Sequence, residues 1–172
     1  MARRGSTATG RPPLYTEDQR RRRDATVWTL VQGILAPVQF LVFLVSLALV
    51  VRYLLTGAGL EAATVSIVLK TLVLYTIMVT GAIWEKIVFG RYLLAPAFFW
   101  EDVVSFGVIA LHTLYLWALF AGWTPEAQMW VALAAYAAYV VNAAQFLLKL
   151  RAARLQGEAS GAGAPADAEV AA

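Results

Sequence analysis

Three carboxylates and two cations stand in Thr80–Asp102, TGAIWEKIVFGRYLLAPAFFWED: Glu85, Glu101 and Asp102, with Lys86 and Arg91. Aromatic residues and Pro96 sit among them, and long apolar runs flank the stretch on both sides. Ionisable groups at the edge of an apolar phase are costly, and in membrane proteins they mark proton relays and substrate paths. The plainer reading is a loop in which Lys86 and Arg91 set orientation and the aromatics anchor the interface. Three carboxylates together exceed what such a loop needs. One further residue carries chemistry of its own. His112, the single histidine, is either a satisfied core histidine or an axial ligand for the metal of a tetrapyrrole.

Composition narrows the classes. The chain has 172 residues, 60% hydrophobic and 15% charged, with a net charge of +3 and no cysteine. An average soluble domain carries about 25% charged residues. The lack of cysteine excludes disulfides, thiolate nucleophiles and cysteine metal sites. A single histidine excludes HExxH-type metal sites. The basic residues cluster, which argues for membrane orientation and against nucleic-acid binding.

Four spans must position these groups. Ala25–Val51 holds 27 uncharged residues, and about 20 suffice to cross the hydrocarbon core. The second span covers Ala62–Trp84, broken only by Lys70; the third Val103–Ala121; the fourth Ala127–Leu148. Asp24 is expected to cap the first helix. Pro96 suits the first position of an earlier start to the third. Thr124 is the expected N-cap of the fourth, with Pro125 at its first position. The sequence predicts an all-α integral membrane four-helix bundle. A basic, largely disordered tail covers residues 1–24, the span domain 25–156, and a disordered tail 157–172. Twelve of the 14 basic residues lie in the tails, the fourth span's flank or the middle loop. The positive-inside rule therefore places both termini and the loop on the cytoplasmic side of the inner membrane.

Helical spacing turns the polar residues into stripes. Glu101, Ser105, Val108 and His112 share one face of the third span. Gln32 and Gln39 share a face of the first. Lys70, Leu74, Ile77, Gly81 and Glu85 align loosely on the second. Tyr139, Asn142 and Phe146 align on the fourth, with Gln145 beside them. Depth sorts these into a layer near the termini (Gln32, Glu85, Glu101, Asp102, Asn142, Gln145) and a deeper layer (Gln39, Lys70, His112). Gln32, Gln39 and Asn142 can serve simply as hydrogen-bonding glue between helices. Lys70 needs a partner, or a route by which its amine snorkels to the interface. This pattern suits an enzyme acting on a flat lipophilic substrate, and equally a pigment- or haem-binding subunit. A small transporter is less consistent, since no inverted repeat is visible.

The segments RRDATVWTLVQGILAPVQFLVFLVSL, VLKTLVLYTIMVTGAIWEKIVFGRYLLAPAFFWEDVVS and AYVVNAAQFLLKLRAARLQ resemble the 3-vinyl bacteriochlorophyllide hydratase family, over residues 15–156. The resemblance implies hydration of the 3-vinyl group of a chlorophyllide or bacteriochlorophyllide to 3-(1-hydroxyethyl), in bacteriochlorophyll biosynthesis. It implies a pigment substrate in a lipid setting, contact with other pigment-biosynthesis enzymes, and no cofactor beyond the magnesium inside the substrate. Such a reaction needs an acid, a group to activate water and a dry slot. The expected acid is Glu101, with Glu85 on the attacking water and Asp102 in reserve. Glu101 and Asp102 point ~100° apart on a helix, so Glu101 is expected to pair with Glu85 across the second and third spans. His112 is expected to hold the substrate magnesium. Ser105, Trp100, Gln32 and Asn142 are expected to line the pigment, with Phe98–Trp100 stacking on it. The alternative is a non-catalytic tetrapyrrole-binding or assembly protein.

Overall fold

The computed structural model describes residues 14–162, all of whose regular structure is helical. Residues 1–13 and 163–172, assigned above to disordered tails, lie outside the described residues. The elements are α1 (Glu17–Ala25), α2 (Val27–Thr56), α3 (Leu60–Phe89), α4 (Phe99–Phe120) and α5 (Pro125–Ala162). The last four are long and apolar enough to cross a membrane, and the chain is a multi-pass membrane protein. α3 and α5 extend past both expected bounds, α2 past its expected end and α4 past its expected start, and α5 runs on through Ala162, beyond the residue 157 at which the tail was expected to begin.

Local chemistry sets the ends. Gly57 and Gly90 close α2 and α3 with φ of 69° and 81°, a left-handed conformation that suits glycine. Thr124 Oγ1 accepts from the Ala127 amide at 3.4 Å, and α5 begins at Pro125. Two expectations are corrected. Asp24 does not cap α2; Thr26 does, accepting from the Trp28 amide at 3.4 Å, while Asp24 pairs with Arg23 at 2.7 Å. Pro96 does not start α4; it sits in the turn closed by the Phe98 amide on the Ala95 carbonyl at 2.8 Å.

Residues 17–24, expected to be disordered, form α1 instead. Thr16 and Gln19 make a reciprocal capping box at its start, an arrangement whose cap residue is worth about 0.5–2 kcal/mol. A buried aromatic cluster then docks this end of the chain. Tyr15 stacks on Phe89 with centroids 5.8 Å apart, and Trp84, Phe98 and Phe146 complete the cluster. Burial pushes the Tyr15 phenol above its ordinary value, although the Arg23 guanidinium beside it acts in the opposite direction.

The four spans form two antiparallel hairpins, α2 with α3 and α4 with α5, that close against each other. The seam is built from Phe43, Ile67, Val108, Tyr136 and Tyr139, with Ala132 and Ala135 on α5. Small residues there let the helix backbones approach closely. Hydrogen bonds cross it as well: Ser46 with Tyr136 at 2.5 Å, and Tyr75 with Thr113 at 2.7 Å. Large apolar side chains such as Leu55, Val79 and Phe120 are exposed on the outside, as a lipid-facing surface requires. The up-and-down order puts α1, the start of α2, the end of α3 and the start of α4 at one end of the bundle. The Thr56–Gly59 turn lies at the other. Single cysteines replacing the exposed Tyr92 and Ala58 should therefore react with a membrane-impermeant maleimide from opposite faces of the membrane. Labelling of both from one face would break the four-span topology.

Candidate active site

The α3–α4 connection, residues 90–98, folds over two carboxyl groups. Leu94 has φ 58°, a left-handed conformation that costs a non-glycine residue about 1–2 kcal/mol. The turn it makes presents two successive amides. The Leu94 amide donates to Asp102 Oδ2 at 2.7 Å, and the Ala95 amide donates to Glu85 Oε2 at 3.3 Å. Successive backbone N–H groups in such a conformation form a concave anion site. The Glu85 and Asp102 carboxyls themselves adjoin. Both are buried, at 6% and 3% exposure.

Glu101 is placed differently. Lys149 from α5 reaches its Oε2 at 2.5 Å and also donates to the Ala97 carbonyl. The ammonium lies 5.0 Å from the centre of the Phe98 ring. The expected Glu101–Glu85 pair is thus corrected: Asp102 is the neighbour of Glu85, and Glu101 turns to α5. Asn142 fixes this rotation of α4. Its Nδ2 donates to the Glu101 carbonyl at 2.9 Å and to Ser105 Oγ at 3.0 Å, while Ser105 donates to the same carbonyl at 2.8 Å. Gln32 ties α2 to α3 through Thr80 Oγ1 at 2.7 Å. Trp84 does the same through Thr29 Oγ1 at 2.9 Å.

The structure therefore gathers Glu85, Asp102, Glu101, Ser105 and Asn142 at the end of the bundle that carries α1. Trp84 and Phe98 meet edge to face at the same end of the bundle, ring centroids 5.7 Å apart. Trp100 stands apart on the outer surface, 69% exposed. Ten residues separate His112 from Asp102 on α4, about 15 Å of helix, and His112 is fully buried. It does not join the carboxyl groups. Sequence reading overlooked Lys149 and the two loop amides. The first had a signal: Asn142 and Lys149 are seven residues apart, two turns along one face of α5.

These features define a class: a multi-pass helical membrane protein with a closed carboxyl site, walled by aromatic rings, at one end of its bundle. The sequence profile of the 2-vinyl bacteriochlorophyllide hydratase family matches residues 15–152. A "2-vinyl bacteriochlorophyllide hydratase" from Rhodobacter capsulatus is 72% identical over 89% of this chain and 90% of its own length. A protein of the same name from Cereibacter sphaeroides is 74% identical, over 86% of this chain and 92% of its own. No solved structure matches. The chain belongs to the 2-vinyl bacteriochlorophyllide hydratase family. That name numbers the vinyl position 2 where the resemblance above numbers it 3.

The Lys149–Glu101 pair gives a stability test. The two side chains are 25% and 8% exposed, and removing one member of a buried pair costs about 3–5 kcal/mol because the other charge is stranded. Lys149→Met should lower the thermal midpoint in detergent markedly. Adding Glu101→Gln to it should recover much of the loss. A Lys149→Met protein as stable as wild type would show that the pair carries no weight.

Proposed function

We infer that this chain adds water across the vinyl group of a bacteriochlorophyllide in bacteriochlorophyll biosynthesis, with Glu85 and Asp102 carrying the protons. The observation behind the assignment is the buried Glu85–Asp102 contact held under the Leu94 and Ala95 amides. Glu85, with the longer bond to its amide, gives a proton to the terminal vinyl carbon. The positive charge formed on the adjacent carbon is spread into the conjugated macrocycle. Water attacks that carbon, and Asp102, whose oxygen is the better held anion acceptor, takes the proton that the water loses. The balance is vinyl plus water to 1-hydroxyethyl, with no electrons gained or lost, so no redox cofactor is called for. The proton returns from Asp102 to Glu85 across their contact and resets the pair. Magnesium enters inside the substrate.

The remaining groups position. Glu101, whose Oε2 already accepts the Lys149 ammonium, is committed as an acceptor and fixes α5 against the loop. Asn142 and Ser105 hold the rotation that aims Asp102 at Glu85. Trp84 and Phe98 keep bulk water from the cation. The carboxyls lie beneath residues 90–98, so this segment gives way when the vinyl group enters. Its hold is two amide bonds, and Leu94 pays for them in backbone strain that release recovers. The basic residues around this end support a cytoplasmic-facing orientation in the inner membrane.

Two measurements follow. In intact cells, a cysteine at position 92 should be protected from impermeant reagent added outside. In purified enzyme, Glu85→Gln and Asp102→Asn should each lower kcat about 10²–10⁴-fold, the usual loss on removing a positioned acid or base, with pigment binding retained. Glu126→Gln, at the opposite end of the bundle, should leave the rate alone. Wild-type turnover in Asp102→Asn, or a loss in Glu101→Gln as deep as that in Glu85→Gln, would refute the assignment.

A further inference from the structure

A second polar layer lies deep in the bundle, far from the carboxyls, and the reaction above makes no use of it. Each of the four spans contributes to it. Gln39 on α2, Lys70 on α3, and His112 and Tyr115 on α4 are 0–2% exposed. Tyr136 on α5 closes the group, its ring centroid 6.0 Å from that of His112. Lys70 projects its amine over the Tyr139 ring at 3.9 Å, with the Tyr136 and Phe43 rings at 5.7 and 5.9 Å. Yet Lys70 Nζ, His112 Nε2, Gln39 Oε1 and Nε2, and the Tyr115 hydroxyl have no hydrogen-bond partner among the described residues. Thr64 lies near the Tyr115 hydroxyl without reaching hydrogen-bond geometry.

Buried polar atoms are seldom left unpaired, and five such atoms within one bundle would together rival the stability of a whole domain. Their chemistry says what satisfies them. His112 Nδ1 lies 2.8 Å from the Val108 carbonyl, which can only accept, so in the neutral ring Nε2 carries the lone pair. The layer therefore offers acceptors at His112 Nε2 and Gln39 Oε1. It offers donors at Lys70 Nζ and Gln39 Nε2, and the Tyr115 hydroxyl is both. An anion accepts only and would leave His112 and the Gln39 carbonyl unmet. A metal ion would find one imidazole and no carboxylate here, too few ligands to hold it. Water donates and accepts and meets every member, and ordered internal waters typically make about three such bonds each.

The geometry points to an internal water-binding site at the middle of the bundle, formed by Gln39, Lys70, His112 and Tyr115. It is distinct from the carboxyl site: Lys70 precedes Glu85 by fifteen residues, about 22 Å along α3. It stands whether or not the catalytic assignment above holds. It also answers the expectation that Lys70 needs a partner, since water solvates the amine inside the apolar phase while the Tyr139 ring covers its other side.

Hydroxyl-radical footprinting tests the site, because radicals generated from bound water oxidise the buried side chains that touch it. The full-length protein in detergent would receive a brief X-ray pulse in oxygen-18 water, with oxidation read by mass spectrometry. Tyr115 and Tyr136, although buried, should be oxidised at a rate comparable to the exposed Tyr92. Lys70→Met or His112→Phe, whichever folds, should cut that labelling several-fold while leaving Tyr92 unchanged. Background labelling of Tyr115 and Tyr136 in the wild type overturns the proposal, and so does labelling that persists in a folded variant.

Discussion

Two successive amides, those of Leu94 and Ala95, hold the Asp102 and Glu85 carboxyls, and the end of the bundle is arranged around that contact. Two acidic groups side by side, out of water, would repel one another if both were charged. The backbone offers them donors on one side. Leu94 accepts a left-handed conformation to do so. That strain is sustained because the turn is pinned at both ends, by Gly90 closing α3 and by the buried Phe98 at the start of α4. Strain of this kind is a reason to look for function where it occurs.

The rest of the fold supplies registration. Asp102 can meet Glu85 only if α4 is rotated correctly, and the Asn142–Ser105–Glu101 hydrogen bonds set that rotation from α5. Lys149 fastens the same helix to the loop through Glu101 and the Ala97 carbonyl. Gln32 and Trp84 fix α3 against α2. The aromatic cluster of Tyr15, Trp84, Phe89, Phe98 and Phe146 closes the end. With α2 and α3 locked as one hairpin and α4 and α5 as another, the carboxyl pair lies where the two hairpins meet.

Much of this was legible in the sequence, because helical periodicity is the strongest signal a membrane protein offers. The stripe Glu101–Ser105–Val108–His112 is buried as its spacing requires. Gln39, Lys70 and His112, read as the deeper polar residues, are all buried. What escaped depended on angles that spacing leaves open. Glu101 and Asp102 are neighbours ~100° apart, and which of them meets Glu85 turns on a rotation decided by Asn142 and Lys149, more than 40 residues away. Leucine avoids positive φ, so nothing in its type announced the turn at Leu94. The basic run at residues 20–23 read as a tail, because its ordering comes from a capping box and from aromatic docking on α3, a tertiary contact. Lys149 read as the charge that ends a span, although its side chain turns inward to Glu101.

The central claim is that the working proton resides on Glu85, in contact with Asp102. The most direct measurement is the infrared carbonyl stretch of a protonated carboxylic acid in the purified protein at neutral pH, identified by its downshift in heavy water. The account predicts that this band is present in the wild type, is lost in Glu85→Gln, and survives in Glu101→Gln. A band that survives in Glu85→Gln and disappears in Glu101→Gln would contradict it.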